Sequence, residues 1–451
     1  MSGLPGSVSV LTGPAATSWI SGTGRPARDQ ALEASVRDII EQVREGGDEA
    51  LLDLAGRFDG GRPARLRVPP ARCRAALDRV EPERRKALEN ARKNLERFHS
   101  GQLSREDPVQ ITAGVRAWRE FRPIDRIGVY APGGRAAYPS SVLMAVIPAR
   151  VAGVREIAVC CPPGPSGEPP ESVLAACALL EVDEVYAAGG AQGIAALALG
   201  TETVARVDKI FGPGGAWVNA AKLALFAEVG IDLPAGPSEV TVWTDTAANP
   251  DWVAAELLAQ AEHGPDSIVA AVLSDDLAVG DRALAGFAAA IAERAAVRLQ
   301  ALAGLAREAA RESLSRGAIL VADSDAAGVR WVNELAPEHL SIQRRDARDV
   351  VGLIRHAGSI FLGGYAPVAA GDYCSGTNHV LPTAGRSRSA SGLSVSDFGR
   401  WMQVQQIDRE GLSVLSPTIQ ALAEWEGLPA HAASVRARFE NGADEAGGAG
   451  E

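Results

Sequence analysis

The stretch that decides the fold is "RIGVYAPGGRAAYPSSVLMAVIPARVAGV", residues 126–154. A short β-rich run ends in a glycine turn and leads into a long apolar run of helical character. Three similar units follow: "EIAVCCPPG" with "ESVLAACALLE" (156–181), "EVYAAGGAQ" with "GIAALALG" (184–200), and "KIFGPGG" with "AWVNAAKLALFAEV" (209–229). Strands that alternate with helices in this way predict a parallel sheet flanked by helices.

A second series, after "DLPAGPSEVTVW" (232–243), predicts another α/β domain. Its candidate strands are "SIVAAVLS", "AILVAD" and "SIFLGG", and its candidate helices cover about 280–316 and "RDVVGLIRHAG" (348–358). Residues 27–59 and 69–104 space their apolar positions by three and four, which predicts amphipathic helices. From about residue 394 the predicted helices are "SDFGRWMQVQQI", "SPTIQALAEWEG" and "AHAASVRARFEN", followed by a Gly/Ala/Glu tail that we expect to be disordered.

We therefore expect an α/β protein with two Rossmann-like domains, parallel sheets, N-terminal helices and a small helical C-terminal appendage. The expected ranges are an N-terminal arm over 1–26, a first α/β domain over 27–129 and 238–393, a second over 130–237, and a C-terminal dimerisation segment over 394–451. The first domain should carry most of the metal-binding and catalytic residues. The second should carry the glycine-rich turns.

Composition narrows the classes of partner. The formal net charge of -11 argues against nucleic acid or an anionic membrane as the main partner, since both require basic patches. The five cysteines are irregularly spaced, so they predict neither a disulfide framework nor a metal-binding pair, and they fit a reducing cytoplasm. No export signal and no apolar run of membrane-spanning length is recognisable. A small-molecule substrate is the favoured partner.

The segment "NPDWVAAELLAQAEHGP" (249–265) predicts a helix that ends near His263. Gln260 lies three residues earlier on the same face, so both side chains can converge near a helix C-terminus, whose partial negative charge favours a cation. Glu256 and Glu262 are rival ligands. The alternative is a histidine that only ends the helix and bonds a carbonyl group.

A second polar segment, "GGYAPVAAGDYCSGTNHVLPT" (363–383), predicts a loop after a strand that carries Asp372 and His379. One carboxylate, two imidazoles and an amide oxygen would suit Zn²⁺. The second imidazole must come from elsewhere, and His431, with Glu426 nearby, is a candidate. Alternatively, both of these residues are solvated ends of helices.

The sequence "PEHL" (337–340) places a carboxylate beside an imidazole just after a proline that turns the chain. His339 is suited to remove an alcohol proton at neutral pH, and Glu338 is suited to activate water. The alternative is a solvated surface turn.

The glycine turns of the first series are weaker signals. None of "APGGRAAYP", "AGGAQGIAA" and "GPGGAWVNAAK" spells the dinucleotide fingerprint GxGxxG. A strand followed by a glycine turn and a helix N-terminus still presents N–H groups to phosphates, so the chain could hold NAD without the fingerprint.

Taken together, the motifs resemble those of the histidinol dehydrogenase family. They are "YAPGGRAAYPSSVLM", "GGAQGIAALALGTE", "VDKIFGPGG", "AGPSEV", "LLAQAEHGPDS", "NELAPEHL", "GDYCSGTNHVLPT", "SGLSVSDF" and "EGLPAHAASV", in order from about residue 30 to 438. The resemblance implies oxidation of L-histidinol through L-histidinal to L-histidine, with two NAD⁺ and one Zn²⁺ per site, in a homodimer.

The resemblance also implies residue roles. The zinc ligands would be Gln260, His263, Asp372 and His431. His339 would be the base for the alcohol, and Glu338 would activate water for the aldehyde step. The substrate contacts would be Ser238, Gln260, His263, His339, Asp372, His379, Glu426 and His431. Glu426 and His431 would reach the site of the neighbouring subunit.

Tyr130, Gln192 and Gly215 match positions that touch NAD⁺ in the family. The chain departs from the family at Gly215, where the usual turn GPGN reads "GPGG", and at Gly193, where alanine is usual. The missing amide bears on the strength of NAD⁺ binding. Two alternatives therefore stay open: a related zinc and NAD⁺ dehydrogenase acting on another polar alcohol, such as a sulfonated diol, and a zinc-dependent binding protein that has lost catalysis.

Overall fold

The computed structural model describes residues 8–23, 29–103, 105–133, 137–234, 236–276 and 280–440. The predicted disordered tail lies outside these residues. The strands are β1 (Ser9–Thr12), β2 (Arg67–Val68), β3 (Val109–Thr112), β4 (Val115–Pro123), β5 (Arg126–Tyr130), β6 (Glu156–Cys161), β7 (Glu184–Ala187), β8 (Lys209–Phe211), β9 (Gly230–Ile231), β10 (Glu239–Thr244), β11 (Ile268–Leu273), β12 (Ala318–Val321), β13 (His339–Gln343), β14 (Ser359–Leu362) and β15 (Gly399–Ile407).

The helices cover these sheets. They are α1 (Gly13–Gly22), α2 (Gln30–Phe58), α3 (Pro70–Asp78), α4 (Pro82–Ser100), α5 (Pro139–Ala152), α6 (Glu171–Leu179), α7 (Gly190–Leu199), α8 (Ala216–Ala224), α9 (Pro250–Ala261), α10 (Asp281–Ala301), α11 (Gly304–Arg316), α12 (Asp325–Leu335), α13 (Ala347–Val350), α14 (Val368–Tyr373), α15 (Arg409–Trp425) and α16 (Pro429–Glu440). Among the described residues, no helix has the length and apolar character needed to cross a bilayer.

Two six-stranded sheets confirm the predicted α/β fold. The first sheet has the order β1-β12-β11-β10-β13-β14, with every pair parallel. The second has the order β2-β7-β6-β5-β8-β9 and is parallel except where β2 pairs with β7. Strand β10 is buried along its whole length, as expected for a parallel sheet covered on both faces.

The chain separates into two compact units. The first comprises Met1–Leu103 with Ile124–Phe398, and it contains both six-stranded sheets. The second comprises Ser104–Pro123 with Gly399–Glu451, and it contains the sheet β15-β4-β3 and helices α15 and α16. The four domain ranges expected from the sequence stay a prediction.

Three local predictions are wrong. Residues 399–407, predicted as helix, form β15, which pairs antiparallel with β4 along its full length, with Trp401 opposite Phe121. This pairing with a segment distant in the sequence overrides local propensity. The helix predicted over 348–358 is reduced to α13 and a single 3-10 turn, because β-branched residues and Gly352 form helix poorly. The predicted loop 363–383 contains α14.

The sheet ends determine where a ligand can bind. Strand β5 lies between β6 and β8 in the second sheet. The next strands in the sequence, β6 and β7, lie on one side of β5, and the later strands β8 and β9 lie on the other side. A crevice at the carboxyl ends of β5 and β8 is the usual ligand position in such a sheet. In the first sheet, β10 and β13 are parallel neighbours with Val240 opposite His339, so Glu239 and Glu338 immediately precede this paired stretch.

Candidate active site

A cavity of about 360 Å³ in the first unit brings together ends of both sheets. The glycine turn after β8, Gly212–Gly215, lines it from the second sheet, and the starts of β10 and β13 line it from the first. The predicted site residues that line this cavity are Gly215, Ser238, His263, Glu338, His339, Asp372 and His379. A larger groove along α3, α4 and α5 has a mostly apolar lining and includes none of the predicted site residues.

The tautomer of His339 follows from its neighbours. Its Nδ1 lies 3.0 Å from the carbonyl oxygen of Glu239. Because a carbonyl oxygen only accepts hydrogen bonds, we assign the proton to Nδ1 and a free lone pair to Nε2. Burial lowers the pKa of His339 to about 4, so the ring is neutral at pH 7. His339 is thus prepared to accept a proton through Nε2.

The Nε2 atom of His339 faces Asp372, which lines the same cavity. It is buried without a hydrogen-bond partner and lies 3.7 Å from Oδ1 of Asp372. An unpartnered buried acceptor is costly in a folded protein, and such an atom usually has a functional partner. The position therefore fits a base that meets a substrate hydroxyl group.

Glu338 lies beside this imidazole and is 5% exposed. Its Oε2 accepts a hydrogen bond from the backbone N–H of Glu239 at 2.8 Å and lies 3.5 Å from Nδ1 of His339. Burial, followed by the nearby carboxylates of Glu239 and Asp372, raises the pKa of Glu338 well above its usual range. A carboxylate with a raised pKa is a stronger base once it is ionised.

Sequence reasoning missed Glu239, which is 6% exposed and donates its backbone N–H to the carboxylate of Glu338. Burial raises the pKa of Glu239 to about 7. The only signal in the sequence was its position next to Ser238 in "AGPSEV". Its partners come from distant segments, so the motif alone does not reveal its contacts.

Two more predicted residues meet at α14. The Nδ1 atom of His379 lies 2.9 Å from the carbonyl oxygen of Asp372, which again assigns the proton to Nδ1. Burial lowers the pKa of His379 to about 4, and it also lowers the pKa of His263. All three imidazoles at the cavity are therefore neutral at pH 7, the form that binds metals and accepts protons.

The candidate metal ligands are of residue types that bind Zn²⁺, but they form an incomplete set in the first unit, and Gln260 does not line the cavity. Gln260, at the last turn of α9, is 3% exposed and has a buried Nε2 without a partner. His263 follows in the turn after α9, and Asp372 faces the same cavity. Burial, followed by the charge of Glu256, raises the pKa of Asp372 to about 6. An amide, an imidazole and a carboxylate suit Zn²⁺, with one further ligand needed for a tetrahedral site.

Within the described ranges, no cluster of three or more His, Cys, Asp or Glu side chains could hold a metal ion. The rival ligand Glu256 is already used, since it accepts a hydrogen bond from the backbone N–H of Val368 at 3.0 Å. The predicted fourth ligand, His431, lies in the first turn of α16 in the second unit and is exposed. Glu426 caps the C-terminus of α15 in the same unit and is also exposed.

The predicted cofactor residues fall into two groups. Gly215 is the N-cap of α8 and lines the cavity. Tyr130 and Gln192 meet instead at the start of α7, where the Tyr130 hydroxyl accepts a hydrogen bond from the N–H of Gly190 at 3.1 Å. Gln192 is 1% exposed, and its amide donates to both carboxylate oxygens of Asp59 at 3.0 and 3.1 Å. Neither Tyr130 nor Gln192 lines the cavity.

The structure explains why glycine and not the expected alanine stands at position 193, on α7. A Cβ atom there would lie 2.8 Å from the carbonyl oxygen of Ala188, closer than side chains tolerate next to backbone. Glycine is therefore required at this position in this chain, and the departure reflects packing.

Asp59 is expected to make stability depend on pH. Burial raises its pKa to about 6, whereas an exposed aspartate titrates near 4. The folded state therefore holds the proton more tightly, so this contribution to stability is complete below about pH 4 and is lost as the pH rises through about 6. Between those values, the free energy of unfolding should fall by up to about 3 kcal/mol relative to Asp59→Asn. Urea titrations of both proteins measure it, and a constant difference would contradict the assignment.

Known proteins match this chain along nearly all of its length. A sequence model described as histidinol dehydrogenase matches residues 24–439. The histidinol dehydrogenase of Methanothermobacter thermautotrophicus is 47% identical over 90% of this chain and 92% of its own, and that of Halobacterium salinarum is 48% identical over 92% and 95%. The crystal structure of histidinol dehydrogenase from Elizabethkingia anophelis superposes with a TM-score of 0.90 at 37% identity, covering 96% of this chain and 98% of that one. With the candidate base His339, the carboxylate of Glu338 and two of the candidate ligands, His263 and Asp372, lining one cavity, these matches establish that the chain belongs to the histidinol dehydrogenase family.

Proposed function

We propose that this chain oxidises L-histidinol through L-histidinal to L-histidine, the last steps of histidine biosynthesis, with NAD⁺ and Zn²⁺ in a cytoplasmic homodimer. The observation that carries the proposal is the buried Nε2 of His339, which has no hydrogen-bond partner. It lies 3.7 Å from Oδ1 of Asp372 and next to Glu338, in the cavity between the ends of the two sheets.

The state of the cysteines supports a reducing compartment. Cys73, Cys160, Cys161, Cys177 and Cys374 are all free thiols.

The first oxidation requires a base for the hydroxyl group. Neutral His339 takes the hydroxyl proton on Nε2 while the carbinol carbon gives up a hydride, and the product is the aldehyde. The fixed Nδ1–H bond to the carbonyl of Glu239 keeps the ring in the tautomer and orientation that this transfer requires.

The second oxidation begins with water. Glu338 takes a proton from a water molecule as the water oxygen adds to the aldehyde carbon, and the resulting hydrate gives up a second hydride and a proton to become the carboxylate. His339 is in position to act on this second alcohol-like group as it did on the first. One site can thus serve both steps because the hydrate resembles the starting alcohol at the reacting carbon.

When bound, Zn²⁺ would supply a Lewis acid that orients the nitrogen donors of the substrate, and NAD⁺ would supply the hydride acceptor for both oxidations. Gln260, His263 and Asp372 would hold the metal together with the partner subunit's His431. A divalent cation beside Asp372 would also favour the ionised form of Glu338, whose pKa that carboxylate raises.

The exposure of two predicted site residues supports a site shared between subunits. His431 and Glu426 are exposed in the single chain, although a metal ligand and a substrate contact are normally enclosed. In a two-fold dimer, each subunit would give these residues to the other, so both sites would depend on both chains. Glu426 with His379 would contact the imidazole end of L-histidinol, a role for which a sulfonated diol has no counterpart.

The test of this function is the yield of NADH from L-histidinol, before and after removal of metal. We expect two NADH per L-histidinol, no turnover after chelation, and recovery on addition of Zn²⁺. Turnover of a sulfonated diol without turnover of L-histidinol would instead identify a related dehydrogenase. Tight zinc binding without affinity for NAD⁺ would indicate a binding protein.

Gly215→Asn is expected to tighten NADH binding. A Cβ atom at this position meets no atom within 4 Å, and the backbone has the extended conformation of an N-cap residue, which asparagine favours. One added hydrogen bond from the amide to the cofactor should lower the dissociation constant about five-fold. Titration of NADH fluorescence measures this, and Gly215→Ala, which adds Cβ without an amide, is the control. Equal tightening in both variants would contradict an amide contact.

A further inference from the structure

Glu239 and Glu338 form reciprocal hydrogen bonds between side chain and backbone. Oε2 of Glu338 accepts from the N–H of Glu239 at 2.8 Å, and Oε2 of Glu239 accepts from the N–H of Glu338 at 3.4 Å. Both residues immediately precede the stretch where β10 and β13 pair in parallel. Each carboxylate thus accepts a hydrogen bond from the N–H group at the start of the neighbouring strand.

This arrangement fixes the carboxylate of Glu338 in one orientation. Its Oε2 is occupied by the N–H of Glu239 and lies near Nδ1 of His339, which leaves Oε1 to accept the proton of a water molecule in the cavity. A long side chain such as glutamate otherwise samples several rotamers, and a base that is misplaced by about 1 Å can lose a hundred-fold in rate.

Glu239 makes a third contact, to the segment that follows His379. Its Oε1 accepts from the N–H of Ala384 at 2.6 Å. Ala384 has a φ of 55°, a left-handed conformation that is strained for alanine and persists only when its surroundings hold it. The segment before Ala384 lines the cavity, so one buried carboxylate connects the starts of both strands with the wall that carries His379.

We propose that Glu239 is a positioning residue for Glu338 in the addition of water to the aldehyde. The inference rests on the proposed function, because it assumes that Glu338 is the base of that step. Glu239 itself exchanges no proton with the substrate. Its effect should therefore appear in the second oxidation and leave the interconversion of alcohol and aldehyde largely unchanged.

The test supplies L-histidinal in two separate assays, one with NAD⁺ and one with NADH, and compares the two rates. With NAD⁺, the formation of NADH reports the second oxidation, and with NADH, its consumption reports reduction to L-histidinol, which reverses the first. Glu239→Gln can accept only one of the two N–H bonds, because the amide nitrogen would face the other donor. We expect its rate with NAD⁺ to fall between about ten- and a hundred-fold, with less than about a three-fold change in the rate with NADH. Glu239→Ala should show a loss at least as large in the same direction.

Asp245→Asn is the matched control, from the other end of β10. Asp245 is 0% exposed, and its carboxylate accepts from the backbone N–H groups of Ala247 at 3.0 Å and Arg345 at 3.1 Å and from Nε of Arg345 at 2.9 Å. We expect this variant to lower the melting temperature as Glu239→Gln does and to leave the ratio of the two rates unchanged. Bound zinc, measured in all variants, should equal that of the wild type.

The positioning role would be overturned if Glu239→Gln left the ratio of the rate with NAD⁺ to the rate with NADH unchanged, whether both rates fell equally or neither fell. If Glu239→Ala fails to fold, the ratio in Glu239→Gln decides. Failure of the proposed function is distinguished by the wild-type protein, which would then form no NADH from L-histidinol at all.

Discussion

Glu338→Gln should retain the interconversion of L-histidinol and L-histidinal while its oxidation of L-histidinal falls by about a hundred- to a thousand-fold. Glutamine has nearly the same shape, and its carbonyl oxygen can still accept the 2.8 Å hydrogen bond from the N–H of Glu239. The amide cannot take a proton from water at neutral pH. The change therefore removes the base and keeps the geometry.

The measurement is the rate with L-histidinal and NAD⁺, compared with the rate with L-histidinal and NADH. His339→Gln is the companion variant. It removes the proposed base of both hydride transfers, so both of its rates should fall together. The number of NADH formed per L-histidinol should approach one in Glu338→Gln as the aldehyde accumulates. An equal loss of both rates in Glu338→Gln would show that Glu338 and His339 do not divide the steps in this way.

Much of the fold could be predicted because its signals are local. The second sheet comes from strands such as "RIGVY" that end in glycine turns and lead into apolar helices, and each unit carries that pattern within about thirty residues. Strand β15 shows the opposite case. Its sequence, "GRWMQVQQI", predicts a helix by itself. In the structure it pairs with β4 from a distant part of the chain, and Trp401 contacts the ring of Phe121 at a centroid distance of 5.5 Å. Pairing of this kind cannot be read from either segment alone.

The candidate site divides in the same way. Glu338 and His339 are neighbours in the sequence, so "PEHL" alone predicts a paired acid and imidazole, and the structure places both at the cavity. Their catalytic roles stay a prediction. The roles of Glu239 and Asp59 depend on contacts between segments that are far apart, and neither stands in a recognisable spacing. The tautomer of His339 was equally hidden, because it is set by a backbone carbonyl, which every residue carries.

The distribution of charge in the site has a structural reason. Three carboxylates, Glu239, Glu338 and Asp372, lie in or beside one cavity, and burial raises the pKa of each. Such a cluster is unfavourable unless a cation or backbone donors stabilise it. Glu239 and Glu338 use backbone N–H groups. Asp372 instead shares the cavity with the neutral imidazoles of His263 and His339, and a carboxylate beside neutral imidazoles is the composition expected of a metal site.

Two inactive variants should restore activity to each other when they share a dimer. Under the proposed arrangement, each site takes His263 from one chain and His431 from the other. Chains with His263→Ala and chains with His431→Ala should each be inactive and bind little zinc. A hybrid dimer of the two, isolated by a different affinity tag on each chain, contains one site with both defects and one site with neither, so about half of the wild-type activity should return.

A second, reciprocal hybrid distinguishes sites that are shared between subunits from sites that belong to one chain. It combines a chain carrying both His263→Ala and His431→Ala with a wild-type chain, so the two hybrids contain the same substitutions in different arrangements. If subunits share sites, each site of this reciprocal hybrid has one defect, and both activity and zinc should be lost. If each site belongs to one chain, the wild-type chain keeps its own intact site. The reciprocal hybrid would then have about half of the wild-type activity, and the first hybrid would have none. Because His431 is exposed in the single chain, we expect the first outcome, with about one zinc ion per dimer in the first hybrid and almost none in the second.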